Sequence, residues 1–252
     1  MARSGLPPQS SIIAETQFAP VRPAAAAAAP GGAASYRILR TNEVDPYKLP
    51  MLAEAVAGFA PAAAPVSDNF TGTDRKAAKL VIAKGQPESF NDLPDLIKTL
   101  PSKSKMAKHK PPVTKDATSG RVQEEMRNVR LRGFLYAASR EKDNDFHLIV
   151  GRDPAKPPMY MTAEVSGLPP SNSPSFAKLK AARNAYKAFF ADQHLPGTGY
   201  DFYDPPIPIL IEGSLFFDVT HANGQGPGPK TLHADIPTIW EIHPVSNIVF
   251  EP

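Results

Sequence analysis

The stretch Asn128-Val-Arg-Leu-Arg-Gly-Phe-Leu-Tyr-Ala-Ala138 decides the fold class of this chain. Small or apolar residues at positions 129, 131, 133 and 135 alternate with arginine and aromatic residues at positions 130, 132, 134 and 136. Successive side chains of a strand point to opposite faces, so this period of two predicts a β-strand with one buried face. The alternation leaves open which of the two faces points inward.

Further strand patterns follow this stretch, and a helical pattern interrupts them. The helical pattern begins after Ser173-Pro174, a capping pair, and repeats apolar residues at helical spacing from Phe176 to Phe190. Gly213 lies inside one strand pattern and predicts a bulge or bend there. The strand patterns cover residues 145–151, 159–165, 207–218, 239–243 and 245–250, the last two being separate strands or one bent strand.

The resulting order, β-β-β-α-β-β, predicts a mainly β domain over residues 125–252. We expect a small five-stranded OB-like barrel with one helix between strands three and four.

The first half of the chain has a different composition. Much of the proline content, 29 residues in all, lies there, and residues 1–35 show no hydrophobic period. We therefore expect residues 1–120 to form a long disordered arm with short helical pieces at 73–84 and 89–100 and a basic linker. Residues 36–50 are open to three interpretations: a short strand, a linear motif that docks on a partner, or plain linker.

Charge and cysteine content limit the classes of function. The net charge is +3, but residues 101–132 hold nine basic residues against three acidic ones, a net charge of +6. Such a segment indicates either an acidic partner or a solvated linker. With no cysteine, the chain has no disulfide, thiol nucleophile or thiolate metal site. The sequence shows no apolar leader and no membrane-spanning run, so we expect a cytoplasmic protein without a membrane partner.

One candidate site is a surface for nucleic acid. Binding to single strands needs cations beside aromatic rings that stack on bases. Arginine and aromatic residues share one face of the 128–138 strand, although the same aromatics could equally belong to the core. The candidate nucleic-acid-binding residues are Lys103, Lys105, Lys108, Lys110, Arg130, Arg132, Phe134 and Tyr136.

A second candidate site combines histidines with carboxylates. Asp145 and His147 are two residues apart on one predicted strand, and so are Glu241 and His243, so each pair shares a strand face. Imidazole and carboxylate ligands suit zinc or non-haem iron, and they also serve as structural hydrogen-bonding partners. The candidate metal ligands, for a divalent cation as cofactor, are Asp145, His147, Glu164, Asp218, His221, Glu241 and His243.

Two short stretches carry a family resemblance. Asp143-Asn-Asp-Phe-His-Leu-Ile149 and Ala163-Glu-Val-Ser-Gly-Leu-Pro169 resemble the staphylococcal-nuclease-like branch of OB-folds, which reads Asp-Gly-Asp-Thr and Asp-Thr-Pro-Glu at these places. Asp145 matches a metal-binding acid of that family, whereas the acid of the second motif falls near Ser166. The family's glutamate and two arginines have no counterparts here, so the resemblance implies the fold but not phosphodiesterase activity.

Three functions remain open from the sequence. The first is a non-enzymatic OB-fold binding module for nucleic acid or a protein partner. The second is a metal-dependent hydrolase that uses the histidines and carboxylates, and the third is an assembly protein that docks through its N-terminal arm. No phosphate-binding Gly-Lys-Ser/Thr loop, Gly-x-Ser-x-Gly elbow or His-Glu-x-x-His helix is present in the sequence. The sequence pattern specifies neither the ligand nor the oligomeric state.

Overall fold

Eight strands and five short or medium helices make up the fold in the computed structural model, which describes residues 5–20, 34–45, 67–191, 194–222 and 226–251. The strands are β1 Ile12–Phe18, β2 Tyr36–Thr41, β3 Glu88–Phe90, β4 Asn128–Arg140, β5 Phe146–Gly151, β6 Tyr160–Val165, β7 Asp201–Phe217 and β8 Trp240–Phe250. The α-helices are α1 Lys76–Lys79, α2 Leu93–Ile97, α3 Lys103–Met106, α4 Phe176–Phe189 and α5 Lys230–His233, with 3₁₀ turns at Gln9–Ser11, Gln123–Glu125 and Val219–Ala222.

All eight strands belong to one sheet, in the order β1-β2-β7-β8-β6-β5-β4-β3. Strand β4 pairs with β7 as well as with β5, so β4, β5, β6, β8 and β7 follow one another in a closed cycle of pairings. The β3–β4 and β6–β8 pairs are parallel, and the other pairs are antiparallel. Within the described part of the chain, each helix is too short or too polar to cross a lipid bilayer.

The mainly β class is confirmed, and α4 lies between β6 and β7, the third and fourth strands after residue 125. The prediction of a five-stranded OB-like barrel is wrong, because the sheet has eight strands. Strand β2 falls in the 36–50 stretch, for which a short strand was one of three interpretations, whereas β1 lies in a Pro/Ala-rich stretch and β3 has only three residues. Short strands of this kind gain their stability from neighbours that are distant in sequence.

The expected disorder of residues 1–120 does not hold for the described parts of that range. Phe18 of β1 and Tyr36 of β2 are buried in the main core, and β2 pairs with the start of β7. Of the three interpretations of residues 36–50, the short strand is correct for 36–41, while residues 46–50 lie outside the described residues. The helix predicted within 89–100 is present as α2, which begins after its cap, Asp92, whereas the helix predicted over 73–84 shortens to α1.

The structure settles which face of β4 points inward. Val129, Leu131 and Leu135 are buried in the core, and Arg130 and Arg132 are exposed. The bulge predicted at Gly213 is also confirmed, since the register between β7 and β8 shifts on both sides of this residue. A Cβ atom there would lie 2.5 Å from the carbonyl oxygen of Pro244, so the close approach of β8 requires glycine.

Residues 67–83 form a cover over one face of the sheet, and a buried ion pair holds them there. The Arg75 guanidinium makes two hydrogen bonds to Glu125, at 2.6 and 2.8 Å, and a third to the carbonyl oxygen of Phe217. It also lies 4.7 Å from the ring centre of Phe216. Further along the cover, the amide of Ala83 donates to Ser214 on β7.

The docking of β1 can be tested with two substitutions on the same strand. Phe18, which stacks on Phe190, is 3% exposed, whereas Ile13 is 51% exposed. We expect Phe18→Ala to lower the free energy of unfolding by about 3–5 kcal/mol, because it leaves a cavity in the core. Ile13→Ala should change it by less than about 0.5 kcal/mol. Urea titration followed by Trp240 fluorescence measures both, and an equally small effect of the two changes would show that β1 is not docked.

The buried ion pair gives a second test. Arg75→Met should lower the free energy of unfolding by about 3–5 kcal/mol, because it leaves the Glu125 carboxylate buried without its cation. The double variant with Glu125→Gln should recover part of that loss. The control is Arg130→Met, which breaks an ion pair with Glu212 whose arginine is 46% exposed and should cost no more than about 1 kcal/mol. Losses of equal size from Arg75→Met and Arg130→Met would contradict the role of residues 67–83 as a fixed cover.

Candidate metal centre

One face of strands β5, β6 and β8 is polar, and it is nonetheless buried. His147 on β5 lies opposite Glu164 on β6, and Thr162 on β6 lies opposite Glu241 on β8. His243 follows Glu241 by two residues and therefore shares its face. The residues between them, such as Ala163 and Ile242, point to the other face and join the main core.

We call this set of polar side chains the acid–histidine layer. Three imidazoles and five carboxylates belong to it, and each of these residues is at most 6% exposed. Lys79, which lies on the cover, also belongs to the acid–histidine layer, because its ammonium group is 3.7 Å from Glu164. The members of the layer are Asp45, Lys79, Asp145, His147, Glu164, Asp218, His221, Glu241 and His243.

At the centre of the layer, His243 lies between three carboxylates. Its Nδ1 atom is 2.5 Å from Glu164 Oε2 and 3.7 Å from Glu241 Oε2. Its Nε2 atom is 3.5 Å from Asp145 Oδ2, which is too long for a normal hydrogen bond. Neither His243 Nε2 nor Asp145 Oδ2 has a hydrogen-bond partner, although both atoms are buried. Donor atoms of Asp145, Glu164 and His243 all lie within 4.8 Å of one another.

Burial makes charge costly for both Asp145 and His243. Desolvation, together with the nearby charges of Asp143 and Glu164, raises the pKa of the Asp145 carboxyl well above its usual range. Desolvation also lowers the pKa of His243, although Glu164 opposes this shift. The imidazole therefore favours its neutral form, which is the form that binds a metal ion.

The turns at the ends of the strands hold Asp145 in place. The amide of Gly167, after β6, donates to Asp145 Oδ1 at 2.6 Å, which leaves Oδ2 directed at His243. Arg183 of α4 is fully buried and donates to the carbonyl oxygens of Asn144 and Ser166 on either side. Helix α4 thus joins the two loops that carry and support the carboxylate.

Two more groups of donor atoms adjoin the central one. Asp218, His221 and Glu241 offer one atom each within 4.8 Å, and so do Glu141, His147 and Glu164. In the first of these, His221 Nε2 is 3.2 Å from Asp218 Oδ2. In the second, His147 Nδ1 is bonded to the hydroxyl of Tyr200 at 2.7 Å, so that nitrogen already has a partner. All seven predicted metal ligands therefore lie in these three groups.

A cavity of about 410 Å³ reaches one end of the layer. His221 lines it, as does Trp240, the only tryptophan of the chain. Most of the remaining lining residues are apolar, and Ser102, Lys103 and Thr238 are the polar ones. The central group around His243 is not part of the wall of this cavity.

The predicted nucleic-acid-binding residues do not form one exposed surface of cations and rings. The four lysines are exposed, and the two arginines are exposed but paired with Glu212 and Glu251 at 2.6 and 2.7 Å. Tyr136 is buried against Tyr160, and Phe134 is half-buried beside the same apolar cluster. A bulge in β4 between residues 135 and 137 turns this end of the strand inward, so Tyr136 cannot stack on a base here.

Sequence reasoning missed four residues at or beside the layer. Glu141 and Asp143 lie in the polar turn before β5, where an acid-rich run was the available signal. Lys79 and Asp45 come from segments that were interpreted as a disordered arm, and nothing in their local sequence marks them. Lys79 lies 3.2 Å from Asp143 and 3.7 Å from Glu164, so it bridges the turn and β6.

Comparison with known proteins assigns no family to this arrangement. No family model matches the chain, and neither a curated protein nor a solved structure matches it. The resemblance to the staphylococcal-nuclease-like branch of OB-folds therefore stays a prediction from two short stretches, and the function has to be argued from the geometry.

Proposed function

We propose that this protein is a metalloprotein that holds a divalent transition-metal ion at Asp145, Glu164 and His243. The observation that carries the proposal is the pair of atoms Asp145 Oδ2 and His243 Nε2. Both are buried polar atoms without a hydrogen-bond partner, and they face each other at 3.5 Å. A carboxyl oxygen and a ring nitrogen that are both buried and face each other need a shared proton or a cation between them.

The separation of these atoms favours a cation. Ligands that bind a tetrahedral zinc ion at about 2.1 Å lie about 3.4 Å apart, close to the observed 3.5 Å. A hydrogen bond between the same atoms would bring them to about 2.7–2.9 Å. Glu164 belongs to the same group of donor atoms within 4.8 Å, and its Oε2 lies 2.5 Å from Nδ1, the other ring nitrogen of His243. One imidazole with two carboxylates suits zinc, iron or manganese rather than the softer copper(I).

The burial of the site favours a structural role for this ion. Asp145 and His243 are 0% exposed, and closed metal sites in proteins are generally structural rather than catalytic. The ligands come from β6, β8 and the turn before β5, so an ion would tie these elements together under the cover. Metal-dependent hydrolysis would need a coordination position that a substrate can reach. We therefore propose a structural role, and not hydrolysis, for this buried ion.

The test uses metal-depleted protein, Zn²⁺ and Co²⁺. We expect the wild type to bind at least one ion, with a visible Co²⁺ spectrum that reports nitrogen and oxygen ligands. Zn²⁺ at 100 times its Kd should raise the free energy of unfolding by about 2.7 kcal/mol, because it binds only the folded state. Asp145→Asn and His243→Gln should each weaken binding by at least about 100-fold, since even outer-shell changes cost up to that much.

The matched control is His109→Gln, because His109 lies outside the acid–histidine layer and pairs with Glu124. It should bind Zn²⁺ as the wild type does. If a proton rather than a metal bridges Asp145 and His243, any stabilisation by either ion will be the same in Asp145→Asn and His243→Gln as in the wild type. That result, or equal binding by wild type and Asp145→Asn, would overturn the proposal.

A further inference from the structure

A second group of ligands lies in the same layer, on the side of the large cavity. Asp218 and His221 come from the turn that follows β7, and Glu241 comes from β8. Their donor atoms lie within 4.8 Å of one another, and all three residues are buried. Glu241 also lies 3.7 Å from His243, so this group adjoins the first.

An independent observation points to a ligand at this place. The hydroxyl of Thr162 is buried and has no hydrogen-bond partner, and Thr162 is the register partner of Glu241 across β6 and β8. Residues directly opposite each other in a sheet share a face, so Thr162 lies on the same face as Glu241. A buried hydroxyl loses free energy unless something occupies its lone pairs.

We propose that Asp218, His221 and Glu241 bind a second divalent metal ion, and that this ion is the exchangeable one of the pair. The inference rests on the proposed function, since Glu241 links the two groups. His221 lines the cavity of about 410 Å³, whereas none of the ligands of the first ion lines it. A chelator or a small ligand in that cavity therefore meets the second ion before the first.

The two groups differ in what surrounds them. Near Asp218 there is also a cavity of about 10 Å³, lined by Lys79, Phe216 and Asp218, with room for about one water molecule. Among the six proposed ligands, Asp218 is the one in the wall of this small cavity. A water molecule held there beside Asp218 would give the second ion the open position that a reactive zinc site keeps.

The experiment counts ions on the intact chain. Metal-depleted protein is dialysed against Zn²⁺, and bound zinc is measured by elemental analysis. We expect two ions per wild-type chain, one in His221→Gln, one in His243→Gln and two in the control His109→Gln. Exposure of the two-ion protein to a chelator should remove one ion fast and one slowly, and His221→Gln should lack the fast phase.

Trp240 supplies a second readout, because it is the only tryptophan and precedes Glu241 in β8. Co²⁺ should quench its fluorescence in two steps in the wild type and in one step in His221→Gln. If His221→Gln does not fold, Asp218→Asn replaces it, since the Asp218 side chain is 9% exposed and lies at the edge of the layer.

The outcomes separate the two proposals. Suppose that the wild type binds one ion, which remains in His221→Gln and Asp218→Asn but is lost in His243→Gln. That result would overturn the second site and keep the first. One ion that depends on His221 and not on His243 would overturn the first site. No bound zinc at all in the wild type would overturn both.

Discussion

The burial of strands β5 and β6 on both faces is the constraint on which the rest of the structure depends. Every residue of these strands is buried, and strands covered on two sides are ordinarily apolar throughout. Here one face instead presents imidazoles and carboxylates. Buried charges are tolerated only when they are paired, hydrogen-bonded or bound to a metal, so whatever covers this face has to supply partners for it.

The cover and the turns after β6 and β7 meet that requirement with few groups. Lys79 reaches Glu164, the Gly167 amide reaches Asp145, and the turn after β7 brings Asp218 and His221 beside Glu241. The Arg75–Glu125 ion pair fixes the cover itself, although its charges lie outside the acid–histidine layer. The segment that the composition marked as an arm is therefore part of the wall of the candidate site, and folding and the site depend on the same contacts.

Part of the candidate site was open to prediction because strand geometry is local. A spacing of two residues places Asp145 with His147, and Glu241 with His243, on common faces, and the structure keeps both pairs together in the layer. Which pairs meet depends on the pairing of β5 with β6 and of β6 with β8, and the last of these joins segments almost eighty residues apart. The positions of Lys79 and Asp45 depend on still longer contacts, and their own sequence neighbourhoods carry no trace of them.

By itself the sequence determined the mainly β class, the succession of three strands, a helix and two strands after residue 125, and the absence of any thiolate chemistry. These follow from periodicity and composition, which are properties of neighbouring residues. Only the tertiary structure decided that the sheet has eight strands, that Val129 and Leu131 point inward, and that Tyr136 is buried. Each of these depends on which distant segment covers a given face. The face of β4 that carries Arg130 and Arg132 and the face of β8 that carries Glu241 and His243 are both polar in the sequence. The packing of residues 67–83 and 218–222 buries the second face, whereas the two arginines stay exposed.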